Sequence, residues 1–162
     1  MFQVGDKVVY PNHGVGLIES INEFVIGGEA TRFYTVQIVS SKSTVKVPAG
    51  NAEAVGLRDL VAKKEIDSVL AYLRGPELTV YADWKERFKQ NSDLMRTGKM
   101  LDMAVALKSL HFVAREKPLS YREKRMYERS MFLIASEIAE VRKRTTTKVE
   151  ESLLRALDSA KV

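Results

Sequence analysis

The side chains with the most chemistry to offer are one tryptophan, Trp84, and a set of cations around it and further along the chain: Lys85, Arg87, Lys89, Arg96, Arg122, Lys124, Arg125 and Arg129. Cations spaced along a helix can neutralise a row of phosphates, and a flat ring beside them can wedge against or stack on a base step. Other chemistries lack their residues. There is no cysteine, which removes disulfides, thiolate nucleophiles and Cys-based zinc sites. The two histidines, His13 and His111, stand far apart, so a histidine metal cage is not expected. No Ser-His-Asp pattern, metal-spaced carboxylate set or phosphate-cradling glycine loop is present; Gly14-Val15-Gly16 is too short to count. The expectation is a binding protein, not an enzyme, with no cofactor, no metal and no small-molecule substrate.

Those residues must be positioned by something, and the charge distribution divides the 162 residues in two. The net charge is +5. Residues 1–58 hold five basic and five acidic side chains, whereas 84–144 hold 15 basic and eight acidic. Seven of the nine glycines fall in the first 58 residues. A neutral, glycine-rich module of residues 1–56 followed by a basic one of residues 57–162 is expected, the second suited to a polyanion.

The first module reads as short strands. Lys7–Tyr10, a stretch from Val15 to Ile26, Arg32–Val39 and Thr44–Pro48 are rich in β-branched and aromatic residues, and Gly27-Gly28 marks a two-residue hairpin turn. Tyr34, Val36 and Ile38 alternate with Phe33, Thr35 and Gln37, and Val45 and Val47 take the inward positions of the last strand. Four or five short strands in under 60 residues suit a small SH3- or Tudor-like β-barrel. Most of its aromatic residues are expected to pack the core or one face.

The second module has helical periodicity. Ile66, Val69, Leu70 and Leu73 make one stripe, ended by Gly75-Pro76. Asp83 with Glu86 and Ser120 with Glu123 are capping boxes, Gly98 is a stop, 100–114 reads as a buried central helix, and Thr147 with Glu150 opens a last helix. The fold class is therefore α+β: a small barrel, then a compact helical bundle. Lys85, Lys89 and Arg96 share one helix face; Arg122, Arg125 and Arg129 share another. A charged face is most often simply solvated, and Trp84, aligned with Phe88 and Met95, is generically a core residue. Its place at a helix tip permits the second reading, a wedge.

The segments FQVGDKVVYPNHGVGLIESI, VPAGNAEAVGLRDL, DWKERFKQNSDLMRTGK and LSYREKRMYERS resemble the bacterial CarD/CdnL family of RNA-polymerase-binding transcription regulators. The N-terminal part is also similar to the polymerase-interacting domain of the transcription-repair coupling factor. The resemblance implies a Tudor-like domain that docks on the polymerase β subunit through Phe24 and the strand Lys46-Val47-Pro48. It also implies a helical domain that meets promoter DNA at the upstream edge of the melted bubble. Trp84 then stands at the family's minor-groove wedge, and Arg87, Lys89, Lys124 and Arg125 at its phosphate-facing positions, with Lys85 beside the ring. It implies a cytoplasmic protein, associated with the nucleoid through polymerase, with weak and non-specific DNA affinity. The rival is a protein-interaction adaptor of the transcription machinery without direct DNA binding. Neither a signal peptide nor a membrane span is expected.

Overall fold

A computed structural model describes residues 1–162 in two compact units, 1–60 and 61–162. The division falls four residues later than the composition shift suggests. Leu57 lies in the core of the first unit, and Arg58 and Asp59 form a short strand paired with Val9 and Val8. With Asp59 counted in it, the first unit holds five basic and six acidic side chains, so the helical unit carries a net +6.

The first unit is an antiparallel sheet of β1 (Lys7–Tyr10), β2 (Gly14–Ile26), β3 (Glu29–Ile38), β4 (Thr44–Pro48) and β5 (Arg58–Asp59), in the order β4-β3-β2-β1-β5. Gly27 and Gly28 take φ of 61° and 82° between the paired residues Ile26 and Glu29, so the turn has the two residues and the backbone sign that a tight hairpin needs. β3 accordingly begins at Glu29, three residues before the expected start. A bulge at Glu19 shifts the β2–β3 register between Ile18 and Ser20. Ile18 pairs with Val36 and Ile21 with Tyr34, so residues three apart both face the core. Val8, Ile18, Tyr34, Val36, Ile38, Val47, Ala52 and Leu57 fill that core. Gly16 is required where β2 crosses Val36: a Cβ there would lie 2.5 Å from Val36 Cγ1 and 3.2 Å from the Gln37 carbonyl oxygen.

The second unit contains α1 (Lys63–Arg74), α2 (Trp84–Arg96), α3 (Met100–Glu116), α4 (Tyr121–Arg142) and α5 (Thr146–Asp158). α3 is central and touches α1, α2 and α4; Ile66, Leu73, Leu107, Ile134, Leu153 and Leu157 are among the residues that close the core around it. Asp83 and Ser120 cap α2 and α4 by accepting from Glu86 N at 3.3 Å and Glu123 N at 3.2 Å. The last helix is capped by Thr145, not Thr147: its Oγ1 accepts from Lys148 N at 3.3 Å. Three consecutive threonines offer the same hydroxyl, and it is the first that holds the extended backbone of a cap, with φ −75° and ψ 147°. Glu137 of α4, buried, accepts from Val61 N at 2.8 Å and ties the entry of the chain into this unit. Lys108 of α3 has no exposed surface, and its ammonium donates to the carbonyl oxygens of Tyr72 and Gly75, both at 2.8 Å, where α1 ends. No helix is long and apolar enough to cross a membrane.

Candidate nucleic-acid interface

On α2 the apolar stripe does not end in the core. Met95 is buried, Phe88 is half-buried, and Trp84, the first helical residue, is 54% exposed. The stripe therefore leads out of the bundle to an aromatic tip, and the generic core assignment of Trp84 does not hold. Lys85 sits 5.7 Å above the indole, a cation–π arrangement that keeps one charge beside the ring. Lys89 is exposed, but Asp93 lies between it and Arg96, at 4.0 Å and 2.9 Å, and offsets part of that face's charge.

The neighbouring helix contributes the second row. Lys124 and Arg125 are exposed, and Arg125 both donates to Tyr121 Oη at 3.2 Å and lies 5.8 Å from its ring centre. Arg122, which motif matching leaves out of the phosphate-facing set, stacks 4.9 Å above Phe88. Phe88 is one helical turn from Trp84, so Arg122 brings α4's charge close to the indole. Its i, i+3 spacing with Arg125 already places it on that basic face in the sequence.

Arg87 is corrected. It is only 3% exposed, and its guanidinium is committed inside the unit: Nε to Glu123 Oε2 at 2.7 Å, Nη2 to Glu123 Oε1 at 2.9 Å, and Nη1 to the Tyr81 carbonyl at 3.0 Å. The Glu123 hydrogen bonds raise its already high pKa against the opposing effect of burial. A side chain so enclosed is not offered to a phosphate at the surface. Glu123 is spent in the same way, so the expected capping box at Ser120 keeps only its serine half.

The histidines are structural in their contacts. His13 Nδ1 lies 3.1 Å from the Pro11 carbonyl in the β1–β2 turn. His111 Nδ1 is 2.9 Å from Tyr127 Oη, and Nε2 is 3.2 Å from Asp158 Oδ1, which also accepts from Arg115 at 2.8 Å. Burial holds the His111 pKa below its ordinary value; the Asp158 bond opposes this and Arg115 adds to it.

In the first unit, register sorts the expected docking residues. Pro48 pairs with Phe33 and Lys46 with Thr35, while Asn22 is Phe33's partner on the other side. Phe24, Phe33, Lys46 and Pro48 thus share the outer face of β2, β3 and β4. Phe24 and Phe33 meet edge to face at 5.7 Å, and Lys46 Nζ lies 5.0 Å over the Phe24 ring. Val47 is corrected: it pairs with Tyr34, is 2% exposed and belongs to the core, so only its backbone is at the edge strand. Phe33 joins the surface in its place.

The two surfaces lie in separately recognisable families. Residues 2–61 match the CarD-like/TRCF RID domain, and residues 68–154 match the CarD C-terminal domain. The chain belongs to the CarD family. It is 33% identical over 141 residues to the Bacillus subtilis (strain 168) protein named "Putative transcription factor YdeB", covering 85% of this chain and 90% of that one. CarD-like proteins are transcription factors, and the first unit of this CarD-family chain is of the RNA-polymerase-interacting type.

Proposed function

We propose that this CarD-family protein docks on the RNA polymerase β subunit through the outer face of its sheet and stabilises the promoter open complex with its helical unit. The observation that carries the reading is Trp84: a large apolar ring, half exposed at a helix tip, with Lys85 and Lys89 on its own helix and Arg122 over Phe88, one turn further along that helix. Wedging such a ring into closed duplex costs a few kcal/mol of unstacking. At the upstream edge of a bubble the stack is already broken, so the wedge favours the open state, and only that difference in affinity shifts the equilibrium. Tethering to polymerase raises the local concentration of the helical unit, so weak, sequence-independent phosphate contacts from Lys89, Lys124 and Arg125 suffice.

Trp84→Ala tests the reading. Stacking of an aromatic on a base contributes ~1–3 kcal/mol, so the variant is expected to shorten the open-complex lifetime by about tenfold while still binding polymerase. An unaltered lifetime with a folded variant overturns the wedge. Absence of any DNA binding by the wild-type protein, at moderate salt, would leave a polymerase adaptor.

A further inference from the structure

We infer that the buried Arg87–Glu123 pair is the device that orients Trp84, an inference that rests on the DNA-facing reading of α2. The pair occupies the fourth residue of α2 and the third of α4, so it joins the first turns of the two helices that carry the exposed cations. Its third bond reaches the Tyr81 carbonyl, in the irregular segment 75–83 that delivers the chain to α2. Tyr81 and Arg87 are three residues before and three after Trp84. The backbone that bears the indole is thereby held on both sides by one planar guanidinium, with Asp83 capping between them. The adjacent residues repeat the junction at the surface, where Arg122 covers Phe88.

Stability alone does not require ions at this position. A buried ion pair replaced as a pair by well-packed apolar side chains is often no less stable. What an apolar pair cannot supply is the fixed fork: three bonds of defined direction to two elements. A wedge on an unfixed tip would have to be ordered on binding, and that ordering is subtracted from affinity. Arg87 therefore acts on DNA through Trp84, as a positioning residue.

The test is Arg87→Met/Glu123→Met in the 162-residue chain, which leaves net charge unchanged. Trp84 is the only tryptophan, so its time-resolved anisotropy reports this tip directly and without DNA. The amplitude of its fast depolarisation is expected to rise about twofold. Affinity for a forked duplex is expected to fall about two- to tenfold with the log–log salt slope unchanged. Unchanged anisotropy and affinity would overturn the inference. So would an affinity loss in which the salt slope shrinks by about one unit, because Arg87 would then be touching a phosphate. If the double variant loses its helical signal, Arg87→Lys replaces it: charge is kept but the fork is lost. The same rise in depolarisation is then expected, and its absence is fatal. Failure of the wild type to bind the fork would sink the DNA-facing reading, whereas the anisotropy result stands independently.

Discussion

Replacing Lys108 by methionine sets two large effects against each other. The ammonium is fully enclosed, donates to the Tyr72 and Gly75 carbonyl oxygens at 2.8 Å each, and lies 4.7 Å over the Tyr72 ring. Methionine keeps most of the stem's packing but removes both bonds. Tyr72 O retains a bond from Gly75 N at 3.2 Å, so the Gly75 carbonyl is the group most exposed to the loss. Hydrogen bonds to charged groups contribute ~1.5–3 kcal/mol, and an orphaned buried carbonyl costs ~1–3 kcal/mol. Against this, the variant no longer desolvates a cation; burial lowers the Lys108 pKa, with the Glu77 charge opposing, so that cost is present in the native protein. The balance is a net loss of about 1–3 kcal/mol. For a unit of this size that is a drop of roughly 5–20 °C in the helical melting transition, read by far-ultraviolet circular dichroism on the full chain. The pH dependence has a definite sign. Because the folded pKa lies below the ordinary 10.5, the unfolded chain binds more protons in that window. The wild-type advantage therefore grows as pH rises toward 10.5. A melting transition equal to or above that of the wild type would refute the reasoning, since desolvation would then outweigh the bonds that hold the end of α1.

Gly16→Ala should destabilise the sheet unit by about 1–3 kcal/mol in urea melts, because the new methyl meets Val36 at 2.5 Å. His111 has a folded pKa below 6.5, so the unfolded chain takes up the proton first. Stability therefore falls as pH drops below 6.5, and a His111→Asn variant should show a flatter urea midpoint there. Lys46→Glu should leave the sheet folded, since the side chain is exposed, yet weaken capture of the polymerase β subunit by about fivefold or more. Retained capture would reject the outer face as the docking surface.

What could be read in advance was what short stretches of chain decide. Gly27-Gly28, the Asp83 cap and the Gly98 stop depend on residues within one turn of each other, and each occurs where expected. Side-chain alternation likewise separates Val47 from Lys46; the resemblance had grouped them because a motif records neighbours, not faces. Arg87 could not be read this way. Its charge is visible in the sequence, but the carboxylate that consumes it lies 36 positions away on another helix. For Trp84 periodicity left both readings open for a related reason: a helical wheel aligns it with Met95 but does not show where the neighbouring helices stop covering the stripe. Phe33 was half legible, since alternation with buried Tyr34 turns it outward, while only strand pairing sets it beside Phe24.

The fork between Arg87 and Glu123 also restricts how this sequence can drift. Losing either partner alone strands a charge in a site that is 3% exposed, at a cost of about 3–5 kcal/mol, a large share of a small domain's stability. Viable descendants must therefore exchange both positions in concert or pass through a compensated background. Among divergent relatives the two sites should read as a linked pair, charged together or apolar together, with mixed combinations rare.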